Sequence, residues 1–261
     1  MAREAAAQHA IRETARALFL KSDEFADWKR KADSAVTDLS TDLIGEDSAY
    51  RGLSAEAAAS RNLLGLYIKA EGHLLGKDVD ASVDRILSDA DTKLIAEDLA
   101  IAAIYENDKT FFQLLGRWCV VLDGRNAALE QTFDGLDRAA LMQGIGDDSA
   151  PRAMDRYSEA SMRVLQAIVS AQGLGAKANT IISDVQMQNA GDDSAWRVAM
   201  RNEEANMRLL LLLVAQEDPA TASKIGADAT TATIGDDSAL RAQQAYLQGK
   251  VDALHWLVCH P

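Results

Sequence analysis

A five-residue motif recurs along this chain and the residues downstream of it keep step, so the fold must build one element several times over. The motif reads Gly45-Glu46-Asp47-Ser48-Ala49, Gly146-Asp147-Asp148-Ser149-Ala150, Gly191-Asp192-Asp193-Ser194-Ala195 and Gly235-Asp236-Asp237-Ser238-Ala239, with a degenerate copy at Ala96-Glu97-Asp98-Leu99-Ala100. Fifteen residues after each motif alanine stands Leu64, Leu115, Leu165, Leu210 or Leu254. Nineteen after it stands Ile68, Cys119, Val169, Val214 or Val258. Five blocks of about two dozen residues therefore align without a gap, starting near residues 45, 96, 146, 191 and 235. The 51-, 50-, 45- and 44-residue intervals between starts put all length variation after the block.

The residues within a block read as helix. Proline is scarce, alanine and leucine are abundant, and few residues favour strand. In the motif, glycine lets the chain turn, an Asp or Ser side chain accepts from the open first-turn N–H groups, and acidic charge suits the positive end of the helix dipole. Four motifs pair an aspartate with an arginine four residues on: Asp47 with Arg51, Asp148 with Arg152, Asp193 with Arg197, Asp237 with Arg241. That spacing puts both side chains on one helix face, each pair contributing a few tenths of a kcal/mol. A short first helix, a break near Glu203–Ala205 (most marked at Gly249) and a strongly apolar second helix such as Met207–Ala215 are expected. A helix apolar around most of its circumference must be covered on several sides. The connectors over 79–90, 125–143, 176–188 and 220–233 are expected to be partly helical. Residues 1–44, with Leu18, Phe19, Phe25 and Trp28, are expected to form a cap or divergent repeat ahead of the five repeats of 45–261.

These features predict an all-α fold in which tandem helix pairs stack as an αα solenoid. The last block, Asp237-Ser238-Ala239-Leu240-Arg241 through Gly249 to Trp256-Leu257-Val258, resembles an ankyrin unit, with its short Ser-led helix, glycine turn and Val/Leu-rich second helix. Residues Asp98 to Gly116 look similar, with Asn107-Asp108 in place of the turn glycine. The likeness covers about half the chain. It departs from that family in a longer first helix, in lacking Thr-Pro-Leu-His, and in a period of 44–51 residues where the family has about 33. Longer periods also suit HEAT-like or armadillo-like pairs, and a compact helical bundle is a further alternative. The resemblance implies a binding scaffold of the kind that bacterial secreted effectors carry.

Charge narrows the partners. A formal net charge of −13 repels nucleic-acid phosphates and anionic membranes and attracts basic proteins. The longest apolar run, Leu209–Ala215, is too short to cross a bilayer, and the N-terminus lacks an apolar signal core, so a cytoplasmic location is expected. Cys119 and Cys259 are read as equivalent positions of the repeat, on its apolar stripe, and are expected as buried free thiols; no Cys/His spacing matches a zinc site.

No catalytic, cofactor or metal residues are expected. The repeated Asp pairs lack the alternating ligands and closing Glu of a calcium loop. His9, His73, His255 and His260 stand in no nucleophile motif, and Gly173-Leu174-Gly175 follows no strand. Trp118 is expected in the core. One offset does vary inside the fixed frame: the residue after the motif alanine is Tyr50, Ile101, Pro151, Trp196 or Leu240. Tyr50, Pro151, Trp196 and Leu240 are accordingly the expected partner-binding positions of a non-catalytic protein-binding scaffold, such as an effector or toxin-inhibitor module, engaging a basic protein. An enzyme with its site in the solenoid groove and a self-assembling structural protein are the alternative readings.

Overall fold

The structure, a computed structural model, describes residues 14, 16–44, 48–95, 99–122, 128–143, 150–192, 194–234 and 238–261, the side chains of 150, 151, 153 and 154 excepted. Among these residues there are ten α-helices and no strand. In chain order they are α1 (Asp23–Asp42), α2 (Ala49–Leu74), α3 (Asp80–Leu94), α4 (Ala100–Leu122), α5 (Ala128–Gln143), α6 (Ala150–Val169), α7 (Gly175–Asn189), α8 (Ala195–Glu217), α9 (Pro219–Ala232) and α10 (Ala239–Cys259). The all-α expectation holds.

Each repeat block forms one unbroken helix, where a short helix, a break and a second helix were expected. Helix α8 runs through the expected break for 23 residues, about 35 Å at 1.5 Å per residue. Gly249 likewise lies inside α10. Its lack of a side chain serves close packing: a Cβ there would overlap Met207 Sδ of α8 and stand 3.3 Å from Ala229 Cβ of α9. The glycine that resembles a turn in the sequence is therefore a point where three helices approach.

The five block helices α2, α4, α6, α8 and α10 pack side by side in that order, and α10 packs back on α2. The array is a closed ring. The open stack expected from the repeats would leave the first and last units without that contact. The connector helices form an outer layer: α3 bridges α2 and α4, α5 bridges α4 and α6, α7 bridges α6 and α8, and α9 bridges α8 and α10. Helix α1 fills the fifth outer place, between α10 and α2. The unit is thus one outer and one inner helix, and Asp23–Asp42, within the expected cap, supplies the outer helix of the seam. Phe25 and Trp28 anchor it, together with Phe19, on Ala70 of α2.

Burial follows these places. Inner helices are covered on all sides; α2 buries Leu53, Ala57, Leu63, Leu64, Tyr67 and Ile68 together with Glu56, Ser60 and Arg61. Outer helices bury a single stripe, Val83 and Ala90 in α3, or Ala222, Ile225 and Ala229 in α9. Trp118 is buried in the main core, as the register expects. No helix among the described residues is long and apolar enough to cross a membrane.

Candidate interaction face

The inner helices run parallel: residues of their C-termini cluster at one end of the ring and residues of their N-termini at the other. The residues after the motif alanine meet there. Tyr50, Ile101, Trp196 and Leu240 are half-buried and close over Leu53, Ile104 and Leu247. The rings of Tyr50 and Trp196 lie 5.6 Å apart, tilted by 59°, although α2 and α8 are not neighbours in the ring. These side chains therefore reach across the lumen and plug it, and each keeps part of its surface exposed. The side chain of Pro151 lies outside those described.

Around this plug stands a rim of exposed apolar side chains. Ile44, Ile95 and Ile234, in the turns that lead into α2, α4 and α10, are 81%, 86% and 76% exposed. Leu99 precedes α4, and Leu141, Met142 and Met187 end the outer helices α5 and α7. Nine large apolar residues are exposed among the described residues, and all but Leu18 and Leu20 belong to this end. Scattered exposed apolar residues are ordinary, but their concentration on one face makes that face a candidate contact surface. The sequence carried a signal for it: Ile44, Ile95, Ile145 and Ile234 each stand five residues before the motif alanine, so an isoleucine belongs to the repeat. Its lack of a helical register partner hid its exposure.

Motif chemistry surrounds the rim. Ser194 caps α8 by accepting from Arg197 N–H, and Asp192 accepts from Ser194 N–H at 2.9 Å. Arg197 and Arg201 reach Asp192 at 3.0 Å each. The Ser194 amide, then both guanidiniums, hold the Asp192 carboxyl below its ordinary range. Arg197 thus pairs with Asp192, the first acid of its motif. Asp47, Asp148, Asp193 and Asp237 lie outside the described residues, and Arg51, Arg152 and Arg241 stand at exposed positions. Arg156 and Arg201 each donate to the carbonyl thirteen residues earlier, Gln143 O and Gln188 O, which satisfies the end of the adjoining outer helix.

Beneath the plug the lumen holds a polar layer. Lys250 Nζ pairs with Glu203 Oε2 at 2.8 Å and lies 4.0 Å above the Phe111 ring; Lys250 is 1% and Glu203 2% exposed. Burial, and then the charge of Glu203, push the Asp108 carboxyl well above the ordinary range. Asn206 donates to Ser158 O and Glu203 Oε1, and Asn202 donates to Asp155 Oδ1 at 2.9 Å. Burial raises Asp155 to about 6 and Glu56 to about 9. These bonds join neighbouring inner helices at matching levels and so fix their relative height.

At the opposite end, a cavity of about 480 Å³ opens between the inner helix C-termini, lined among others by Tyr67, Glu71, Gln172, Trp256 and His260. Arg16 and Glu217 also line it and form an ion pair at 2.7 Å. On the flank of the ring, Asp33 of α1 meets His255 and Cys259 of α10. Cys119 is buried as expected, but Cys259 is only partly so. Cys119 stands nineteen and Cys259 twenty residues after its motif alanine, and one extra residue turns the side chain about 100° round the helix, out of the core. Comparison with known proteins finds no family model, no curated protein and no solved structure that matches this chain.

Proposed function

We infer that the ring is a protein-docking module that binds a basic protein partner on the face at its inner-helix N-termini. The observation that carries this reading is the apolar rim of Ile44, Ile95, Leu99, Met142, Met187 and Ile234 around the half-buried Tyr50, Trp196 and Leu240. Each rim isoleucine is followed in the sequence by a residue pair rich in acid, such as Glu46-Asp47 or Asp236-Asp237, within a chain of net charge −13. A partner with an apolar protrusion ringed by Lys and Arg fits that pattern, since opposite charge steers encounter while apolar burial supplies affinity. Tyr50 and Trp196 supply the large, rigid aromatic area typical of interface anchors.

The test compares immobilised wild-type protein with an Ile44→Asp/Ile95→Asp/Ile234→Asp variant in pull-downs from relevant lysates. Support is one stoichiometric basic protein held by wild type, released by moderate salt, and lost from the variant while helicity and Tm stay unchanged. Nothing stoichiometric on wild type, or equal capture by both proteins, refutes the reading.

A further inference from the structure

We propose that Asp33, His255 and Cys259 form a site for a divalent transition metal of the zinc class, which clasps the first outer helix to the last inner helix. The three ligand atoms already lie within 4.8 Å of one another. His255 Nε2 is 2.8 Å from Asp33 Oδ1 and 3.8 Å from Cys259 Sγ. In a tetrahedral zinc site, bonds of about 2.0–2.3 Å place neighbouring ligand atoms roughly 3.3–3.7 Å apart, so side-chain shifts of about 1 Å complete the geometry. His255 and Cys259 are spaced i, i+4 on α10 and share a face without any rearrangement. Asp33, 222 residues away in sequence and half-exposed, supplies the third ligand by rotating at the surface of α1.

The donor set decides the class of metal. Thiolate, imidazole and carboxylate together suit zinc and its neighbours, whereas calcium and magnesium require all-oxygen shells. Three protein ligands leave a fourth position for water. On binding, the Cys259 thiol releases its proton to solvent and its sulfur bonds the metal. His255, held as an imidazolium beside Asp33, likewise releases its Nε2 proton to solvent and binds through the freed lone pair, and no oxidant or reductant is involved. The location gives the site a role: α1 and α10 come from opposite ends of the chain, and α1 covers the seam where α10 packs on α2 to close the ring. A metal held from both sides stabilises the closed state over the open one. The site lies towards the C-terminal end of α10, away from the docking face at its N-terminal end, so each can fail alone.

The experiment uses tag-free full-length protein, stripped with a chelator and titrated with Co²⁺ and then Zn²⁺. Expected are one Co²⁺ per chain, a sulfur-to-cobalt charge-transfer band in the near ultraviolet, displacement by Zn²⁺, and a Tm that rises with Zn²⁺. Cys259→Ser and His255→Ala should each weaken binding by more than the ~10–100-fold that changes outside a ligand shell cause, with metal-free helicity retained. Asp33→Asn, at an exposed position, keeps the test usable if a change on α10 unfolds the protein, and it too should weaken cobalt binding. The proposal is overturned by the absence of the band at stoichiometric metal, by a band that survives Cys259→Ser, or by unchanged affinity in Asp33→Asn. The Ile44→Asp/Ile95→Asp/Ile234→Asp variant should bind metal as wild type does.

Discussion

Glu56→Gln should stabilise this protein, and by an amount that grows with pH. Glu56 lies on the inner helix α2, is 2% exposed, and its Oε2 is buried without a hydrogen-bond partner. Burial raises its pKa from the ordinary 4.5 to about 9, opposed in part by a hydrogen bond from Gln244. The folded state therefore holds a proton that the unfolded state releases above pH 4.5, and stability falls as pH rises through that window. The penalty is absent below pH 4.5, grows by about 1.4 kcal/mol per pH unit, and levels off near pH 9. It reaches about 3 kcal/mol at pH 7 and at most about 6 kcal/mol at pH 9. Glutamine has nearly the same shape and never ionises. The assay is urea unfolding of both proteins, followed by circular dichroism, from pH 5 to pH 9. Asp108, Asp155 and other raised acids contribute equally to both and cancel in the difference. A 3 kcal/mol gain at pH 7 corresponds to a Tm increase of roughly 6–12 °C for a chain of this size. A pH-independent difference between the two proteins, or a variant less stable than wild type at pH 8, would refute the assignment of a neutral, buried Glu56.

Other expectations test the lumen and the ring. Lys250→Met leaves Glu203 buried without its counter-charge and should cost about 3–5 kcal/mol, whereas Lys250→Met/Glu203→Met should recover most of that in the same unfolding assay. Gly116→Ala should destabilise by about 1–3 kcal/mol in spite of alanine's better helix propensity, because its Cβ would stand 2.5 Å from Phe133 Cζ. Thermal melting that shows a gain in Tm would show the outer helix α5 to be loosely seated there. A double-mutant cycle of Tyr50→Ala and Trp196→Ala should give a coupling of about 0.5–1.5 kcal/mol, since the rings touch across the lumen. Additive effects would mean that the plug does not close.

Much of the architecture was legible in the sequence because its signal is local and repeated. Leu64, Leu115, Leu165, Leu210 and Leu254 keep one register, and each lies buried at the same level of its inner helix. The candidate face was half legible: the variable offset points to Tyr50, Trp196 and Leu240, while Ile44, Ile95 and Ile234 precede their helices, where no helical period marks a side chain as inward or outward. The misplaced break at Gly249 has a simple cause. Turn and helix–helix contact both favour glycine, and only the neighbours, Met207 and Ala229, distinguish them.

By itself, then, the sequence determined helical content, the five-fold recurrence and the faces that must be covered, since period, propensity and capping act within a few turns of chain. Only the tertiary structure decided that the array closes. Closure depends on the angle between successive units, which is set by side-chain packing and accumulates over five of them to bring α10 against α2. With closure came everything that joins distant residues: the Tyr50–Trp196 plug, the Lys250–Glu203 pair, and the meeting of Asp33 with His255 and Cys259, where sequence spacing showed no metal site.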